Sequence, residues 1–310
     1  MLTSNVLSPQ QQHTAVALGF FDGVHRGHRR VLSLCAAQKA HGLVPVCLTF
    51  SESPRAVMNG GAFFYLMTQR DKVKVLESIG MEQVIFADFR SIMHLSPEEF
   101  FHEILVKRLR AKALFCGFNY HFGKSAEGDP ALLRRLCDEA GIALTIVPPE
   151  KNEGEVVCST FIRGLIADGE VERANQLLGA RFGFSTVITH GRRLGRELGT
   201  PTLNMPLESD LVVPKFGVYA SLVTLESGER FGGVTNVGVK PTVGGTVPLW
   251  ETWMPDYHGG EIYGQTADVR LLKFLRPEQK FDSLTALRDA ILKDGEQAKA
   301  VFRQIGGSAT

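Results

Sequence analysis

The chain has 310 residues, a length that suits two domains, and its 44% hydrophobic and 22% charged residues are typical of a globular protein. Its 34 basic and 33 acidic residues leave a formal net charge of +1, which provides no global attraction to nucleic acid or to a membrane surface. The polar N-terminus lacks a signal-peptide pattern and no apolar run is long enough to span a bilayer, so we expect a cytoplasmic protein with neither of these partners.

The cysteines also indicate a reducing compartment. They form no CxxC pair, and several lie in apolar runs, so we expect reduced thiols in the core. The five residues are Cys35, Cys47, Cys116, Cys137 and Cys158.

The first half of the sequence alternates short apolar runs with helical patterns. Strands are predicted over 15–18, 44–50, 83–87, 113–117 and 144–147, and helices from Arg29 to about Lys39, over 69–79, from a capping box at Ser96 to about Leu109, and over 130–140. Strands that alternate with helices indicate a parallel, doubly wound sheet. Such sheets bind ligands at the carboxyl ends of their strands, where Gly19, Phe50 and Gly117 fall.

The pattern changes near Arg181, after one more predicted helix over 171–178. Short β-rich runs separated by glycines follow, over 183–189, 217–224, 231–237, 248–253 and 266–274, with a last helix over 284–294. This spacing predicts a small antiparallel barrel or sandwich. We therefore divide the chain into domains 1–181 and 182–310.

The motif with the clearest chemistry is GFFDGVHRGH, residues 19–28, directly after the first predicted strand. His25 and His28 flank Gly27 where the strand gives way to a helix N-terminus, whose N–H groups and dipole attract anions. Gly27 lets a phosphate approach the backbone without meeting a Cβ. Two surface histidines beside a tight turn are the alternative, but the strand, turn and helix around them favour a functional element similar to the HxGH of nucleotidyltransferases.

Two further stretches of the first domain combine turns with polar side chains. One is GFNYHFG, residues 117–123, which is either an ordinary loop or a nucleotide contact through Asn119. The other is CSTFIR, residues 158–163, at an expected strand-to-helix turn. There, Ser159 and Thr160 either cap the helix or, together with Arg163, hold a triphosphate.

The second domain opens with a basic, glycine-rich stretch, THGRRLGRELGTPTLN, residues 189–204. Thr202 and Asn204 place two oxygen ligands on one side of an extended segment, which suits Mg²⁺ bound together with a nucleotide. A basic hairpin loop is the commoner explanation when the stretch is taken alone.

In their order and separations, GFFDGVHRGH, CGFNYHFG and CSTFIR resemble the adenylyltransferase module of prokaryotic bifunctional riboflavin kinase/FAD synthetases. The resemblance covers nearly the whole chain, and residues 216–220 and 235–242 match further family segments. It implies an α/β, Rossmann-like nucleotidyltransferase domain followed by a small antiparallel β-barrel riboflavin kinase domain with a C-terminal helix. It also implies two reactions: riboflavin and ATP give FMN, and FMN and ATP give FAD and pyrophosphate.

The resemblance also implies roles for individual residues. In the adenylyltransferase site, the catalytic His25 and His28 would contact the phosphates of ATP, and the other ATP- and phosphate-binding residues would be Gly19, Phe20, Asp22, Gly27, Asn119, Ser159, Thr160 and Arg163. In the kinase site, Mg²⁺ and nucleotide would be held by Gly195, Thr202 (a direct Mg²⁺ ligand) and Asn204, and flavin by Lys240 and Thr242. Glu251 would be the catalytic base.

The two reactions differ in their need for a base. The phosphate of FMN is already mostly ionised at neutral pH, since the second pKa of such monoesters is about 6. The riboflavin 5′-hydroxyl is an ordinary alcohol, so a carboxylate such as Glu251 must take its proton. The alternative is that Glu251 is a solvated strand residue without a catalytic role. The implied cofactor is Mg²⁺ and the implied partners are riboflavin, FMN and ATP, with the chain a monomer or a weak homo-oligomer.

The sequence departs from the family at several positions. Ser53 replaces the histidine of a family TFxPHP segment, Thr200 and Leu203 replace the commoner Phe and Ala of GFPTAN, and Lys240 replaces an arginine. Because the substitutions cluster around the flavin and nucleotide loops, an adenylyltransferase whose kinase domain only binds flavin or acts weakly is the main alternative. A flavin-binding protein without chemistry and a nucleotidyltransferase for another phosphate are further alternatives.

Overall fold

A computed structural model describes residues 1–5, 7–189, 202–207, 210–242 and 245–306, apart from the side chains of 240–242 and 245–247. The chain divides into two compact units, one formed by Met1–Phe63 and Thr68–Ser159 and the other by Phe64–Met67 and Thr160–Thr310. This division falls at 159/160. The boundary between functional domains at 181/182 stays a prediction.

The first unit is built on a six-stranded parallel sheet in the order β1-β4-β3-β2-β5-β6. Its strands are β1 (Leu2–Ser4), β2 (Thr14–Leu18), β3 (Val44–Phe50), β4 (Gln83–Ala87), β5 (Ala111–Gly117) and β6 (Ala143–Val147). The central strands are continuous apolar runs because both of their faces are covered. A short hairpin, β7 (Lys151–Asn152) and β8 (Glu155–Val156), follows the sheet.

Helices connect the parallel strands of this unit. They are α1 (Arg26–Ala36), α2 (Pro54–Asn59), α3 (Gln69–Ile79), α4 (Phe89–Ile92), α5 (Pro97–Glu99, which continues as π-helical turns over Phe100–Arg108) and α6 (Pro130–Ala140). The capping box predicted at Ser96 is present, with Glu99 bonding back to the Ser96 N–H. Gly80 ends α3 and Gly141 ends α6, both in the left-handed conformation that glycine adopts without steric cost.

The strand order changes direction between β2 and β5. From β2 the chain adds β3 and β4 on one side, then crosses to add β5 and β6 on the other. Leu18, the last residue of β2, is paired with Cys116 of β5. The loops that leave these two strands therefore start side by side, at the position where doubly wound sheets bind ligands.

The second unit contains a nearly closed antiparallel barrel in the order β10-β13-β12-β11-β14-β9. The strands are β9 (Gly183–Val187), β10 (Thr202–Pro206), β11 (Gly217–Leu225), β12 (Arg230–Thr242), β13 (Gly245–Trp253) and β14 (Thr266–Arg276). A bridge between Thr189 and Asn204 brings the β9 end of the sheet to β10. The barrel interior is filled by fully buried aromatic side chains such as Trp250, Tyr219 and Phe184.

Helices α7 (Ser159–Asp168), α8 (Val171–Leu178) and α9 (Leu284–Gln304) complete the chain. The Asn175 amide fixes α8 to the barrel because it donates to the Leu271 carbonyl and accepts from the Phe182 N–H, at 2.9 and 2.7 Å. Helix α9 lies on the outer face of the barrel, where Ala298 and Phe302 pack with Val218 and Val234.

The predicted fold class is confirmed, and most predicted element bounds agree with the structure to within two residues. Several predictions were wrong in detail. Strand β12 extends to Thr242 rather than 237, and β13 starts at Gly245 rather than 248. Helix α1 starts at Arg26 rather than Arg29, and β10 was not predicted as a strand. The last helix extends to Gln304 rather than 294. Gly295 lies inside this helix, where its lack of a Cβ makes room for the Trp253 ring, which a Cβ would approach to 2.7 Å.

The ion pair between Arg276 and Asp294 holds α9 against the barrel. The Asp294 carboxylate is buried, and it accepts from Nε and Nη2 of Arg276 at 3.1 and 2.8 Å. We expect Asp294→Asn to lower the free energy of unfolding of the second unit by about 2–3 kcal/mol, because it leaves the guanidinium without its anion.

Both tryptophans, Trp250 and Trp253, lie in the barrel, so tryptophan fluorescence during urea denaturation reports on this unit alone. Asp289→Asn, at an exposed position of the same helix, is the matched control and should change stability by less than about 0.5 kcal/mol. An Asp294→Asn protein as stable as the control would show that the pair contributes nothing.

Candidate active sites

His25 and His28 form a stacked pair at the start of α1. Their ring centroids are 3.6 Å apart with an angle of 19° between the planes. His25 is the N-cap of the helix, and its Nδ1 accepts from the backbone N–H of His28 at 3.3 Å. Gly27 packs closely on the pair, since a Cβ there would lie 3.3 Å from the His25 ring. The pair is therefore held at the amino end of a helix, next to the switch point of the sheet.

Burial keeps both imidazoles neutral. Desolvation lowers the pKa of His25 to about 4, and it lowers the pKa of His28 well below its usual value with smaller contributions from His25 and Lys72. His28 as a whole residue is half-buried, but its Nδ1 is fully buried and has no hydrogen-bond partner among the described residues. A buried, unsatisfied nitrogen at a helix N-terminus is suited to a polar ligand.

The turn before the histidines has an unusual backbone. Phe21 and Val24 both have positive φ, at 52° and 41°, although neither is a glycine. Such conformations cost of order 1–3 kcal/mol each and persist only where the surroundings hold them. The Phe20 carbonyl accepts from the Thr49 hydroxyl at 2.8 Å and from the Lys72 ammonium at 3.0 Å. The Ser159 hydroxyl donates to the Asp22 carbonyl at 3.0 Å.

Several other predicted residues of the first unit lie at the same edge of the sheet. Gly19 directly follows β2, and Asn119 lies two residues after β5, in a turn closed by the Tyr120 N–H on the Gly117 carbonyl. Asn119 is exposed, and its Oδ1 folds back towards Gly117. Arg26 pairs with Glu150 at 2.9 Å, which ties the helix start to the segment after β6.

The other residues predicted for the two sites belong to the second part of the chain. Thr160 and Arg163 are in the first turns of α7. Gly195 lies outside the described residues. Lys240 and Thr242 belong to β12, and their side chains lie outside the described part.

Register across three strands of the barrel brings three polar residues into one row. Glu251 of β13 is paired with Asn204 of β10 on one side and with Asn236 of β12 on the other. Directly paired residues of antiparallel strands share a face, with Cβ atoms about 4.5–5.5 Å apart. Thr202 lies on this face as well, two residues before Asn204. The neighbours of Glu251 in sequence, Trp250 and Thr252, point into the barrel and are fully buried.

The oxygen atoms of this row fit Mg²⁺. Asn204 is buried, and its Oδ1 has no partner among the described residues. Its carbonyl is held in place by Thr189, which donates from both its N–H and its hydroxyl at 2.9 and 3.0 Å. Within the described part of the chain, no group of three His, Cys, Asp or Glu side chains forms a metal site. Mg²⁺ commonly takes oxygen ligands from the protein and from substrate phosphates together.

Sequence reasoning did not single out Lys72, Thr49, Asn236 or Glu278. Lys72 lies four residues before the buried Leu76 on α3, so both are on the apolar face of this helix. A charged residue on an apolar face is the sequence feature that could have pointed to Lys72. Asn236 donates to the Glu278 carboxylate at 3.3 Å, and Gly238 leaves room for that carboxylate. The contact between Asn236 and Glu278 forms only in the folded chain, and no pattern in the sequence indicates it.

The chain is similar to known proteins over most of its length. A family model described as FAD synthetase matches residues 7–161, and one described as riboflavin kinase matches residues 178–302. The chain is 37% identical to the bifunctional riboflavin kinase/FMN adenylyltransferase of Haemophilus influenzae, covering 94% of this chain and 95% of that protein. The corresponding protein of Listeria monocytogenes is 34% identical, with 94% and 93% covered.

A solved structure from Streptococcus pneumoniae, described as a macrolide-efflux protein, is also similar. It has a TM-score of 0.87 and 30% identity, over 96% of this chain and 99% of that one. In the described part of this chain, no helix has the length and apolarity needed to cross a membrane.

The fold and the two sites define a two-domain transferase, in which a nucleotidyltransferase-type sheet is followed by a kinase barrel. The chain belongs to the family of bifunctional riboflavin kinase/FMN adenylyltransferases, and both enzymatic domains of that family are present in it. The resemblance found in the sequence motifs is thereby confirmed.

We expect the ring resonances of His25 and His28 to keep the chemical shifts of neutral imidazole from pH 8 down to about pH 5, because burial lowers both pKa values. An unfolded chain protonates its histidines near pH 6.5. The free energy of unfolding should therefore fall as the pH drops from about 6.5 towards 4, since only the unfolded state binds these protons there.

Histidine side-chain NMR checks the first part. Urea denaturation of His25→Asn, which keeps a capping side chain, checks the second: its stability should change less over this pH range. Titration of both rings near pH 6.5 would show that they are solvated.

Proposed function

We propose that this chain forms FAD from riboflavin in two ATP-dependent steps, at one site in each of the domains 1–181 and 182–310. The kinase domain transfers the γ-phosphoryl group of ATP to riboflavin and gives FMN. The other domain transfers an adenylyl group from ATP to FMN and releases pyrophosphate. The observation that supports this most is the presence in one chain of a stacked histidine pair at a sheet switch point and a polar Asn–Glu–Asn row on a barrel.

In the adenylyl-transfer step, the chain supplies alignment and charge stabilisation rather than a base. The FMN phosphate attacks the α-phosphorus of ATP as an anion, and the bond to pyrophosphate breaks. His25 and His28 are neutral, so each offers one N–H to the phosphoryl oxygens, together with the free N–H groups of the first turn of α1. Further contacts to ATP come from Gly19, Phe20, Asp22, Gly27, Asn119, Ser159, Thr160 and Arg163.

In the kinase step, Glu251 accepts the proton of the riboflavin 5′-hydroxyl as the oxygen attacks the γ-phosphorus, the bond from the γ-phosphorus to the β–γ bridging oxygen breaks, and ADP leaves. Glu251 is half-buried and lies between two asparagines in the strand register. Gly195 contacts the nucleotide, and Lys240 and Thr242 contact the flavin, as the family resemblance implies.

Mg²⁺ belongs to the kinase site in this proposal. Thr202 and Asn204 supply its protein oxygen ligands, and the buried, unpartnered Oδ1 of Asn204 supports this assignment. When bound, the ion neutralises charge on the nucleotide phosphates. Thr189 keeps the Asn204 backbone in place.

The buried cysteine thiols bear on the compartment in which the protein works. Burial raises the pKa of the thiols of Cys35 and Cys116 to about 12 and that of Cys137 to about 11, so they stay protonated and unreactive. We propose a cytoplasmic protein with reduced cysteines, and a monomer or a weak homo-oligomer.

The direct test is incubation of the purified protein with Mg²⁺-ATP and either riboflavin or FMN, with separation of the flavins by chromatography. FAD from both substrates would support two working sites. FAD from FMN alone would leave only the adenylyltransferase, with a kinase domain disabled by its substitutions at Thr200, Leu203 and Lys240. No product from either substrate would overturn the proposal.

The two sites can be separated by substitution. We expect His28→Ala to lower FAD formation from FMN by at least about 100-fold, because it removes a donor to the phosphates, and to leave FMN formation unchanged. Glu251→Gln should do the reverse, with a similar loss in FMN formation. The same chromatographic assay measures both. A folded variant that lost both activities would contradict separate sites.

A second prediction concerns the proposed Mg²⁺ ligand Asn204. Asn204→Ala should raise the Mg²⁺ concentration needed for half-maximal FMN formation by about tenfold, because one oxygen ligand is lost. FAD formation from FMN should keep its Mg²⁺ dependence in this variant. Asn152→Ala, in the hairpin of the first unit, is the matched control and should change neither requirement. An unchanged Mg²⁺ requirement for FMN formation in Asn204→Ala would remove this residue from the metal site.

A further inference from the structure

Lys72 is a buried cation beside the histidine pair that no motif explains. It lies on α3 with only 5% of its surface exposed, and desolvation lowers its pKa. Burying an ammonium group is costly unless it is paired and hydrogen-bonded. Contacts with the turn between β2 and α1 offset the cost of burying the Lys72 ammonium group.

The Lys72 ammonium is directed at the turn between β2 and α1. Its Nζ donates to the Phe20 carbonyl at 3.0 Å and lies 4.7 Å from the centroid of the Phe20 ring. Asp22 attracts it from the same turn. The Thr49 hydroxyl, from the end of β3, donates to the same carbonyl at 2.8 Å. A lysine and a threonine from two different elements thus converge on one peptide group.

The Phe20 carbonyl directly precedes Phe21, whose backbone conformation is strained. Phe21 follows it in the left-handed region, and its ring contacts His28 edge-on with centroids 5.3 Å apart. A shift of the Phe20–Phe21 peptide would therefore move a ring that packs on the histidine pair. Displacements of about 1 Å can cost about 100-fold in rate when they disturb aligned catalytic groups.

We propose that Lys72 is a positioning residue of the adenylyl-transfer site: it fixes the Phe20 carbonyl, and through it the left-handed turn that carries Phe21 against His28. This inference rests on the proposed adenylyltransferase function and adds a residue on α3 to it. Lys72 acts through the turn, and its charge also reaches His28.

The test uses the full-length protein with Lys72→Met, which keeps the length of the side chain and removes its charge and donors. We expect kcat for FAD formation from FMN to fall by about 10- to 100-fold, while KM for ATP changes less than about threefold, because alignment is lost rather than ground-state binding. FMN formation from riboflavin should stay the same. Lys74→Met, at an exposed lysine of the same helix, is the matched control and should change neither rate.

A spectroscopic readout separates this role from simple packing. The titratable groups that act on His28 are His25 and Lys72, and the Lys72 charge lowers the pKa of His28. Lys72→Met should therefore raise that pKa, and NMR of the His28 ring would detect protonation at a higher pH than in the wild type. An unchanged pKa of His28 would show that the Lys72 charge does not reach the histidine pair, and would overturn that part of the proposal.

Wild-type kcat in Lys72→Met would overturn the role of Lys72. If this variant unfolds the first unit, Thr49→Val tests the same carbonyl without removing a charge: a several-fold lower kcat supports the proposal, and an unchanged kcat overturns it. A wild-type protein that makes no FAD from FMN and ATP would instead overturn the proposed function, so the two failures are distinguishable.

Discussion

The pairing of β2 with β5 is the contact on which the first site depends. These strands are distant in sequence, yet Leu18 lies opposite Cys116, so the loops after them begin side by side. The histidine turn and the Asn119 turn are thereby placed at one edge of the sheet. The change of direction in strand order occurs between these two strands and leaves an open crevice there, which is why a ligand site forms at this position.

In the second unit, the register of antiparallel strands places candidate site residues next to one another. Alternation along β13 sends Trp250 and Thr252 into the barrel and Glu251 to the outer face. Inside, Thr235 bonds to both Ser221 and Thr252, so these buried hydroxyls satisfy one another. Outside, the row from Asn204 through Glu251 to Asn236 crosses three strands. A slip of one residue in any pairing would move these side chains to opposite faces.

Burial determines the electrostatics of the histidine site more than neighbouring charges do. Desolvation is the largest cause of the lowered pKa values of His25, His28 and Lys72. The imidazoles are therefore hydrogen-bond donors without a charge at neutral pH. A site of this kind stabilises phosphoryl oxygens with oriented N–H groups and helix amides.

The sequence by itself determined the order of elements, the fold class and the motif residues, because these depend on local periodicity, capping and glycine placement. It predicted β3, α3, β4 and α6 with the observed bounds, and it singled out His25, His28, Thr202, Asn204 and Glu251 as candidate site residues. Only the tertiary structure decided which elements meet. The contact of Lys72 with the Phe20 carbonyl, the row through Glu251 and Asn236, and the passage of α9 through Gly295 each depend on side chains far apart in sequence. Local propensity carries no information about such pairings, because their energy is gained only when the chain packs.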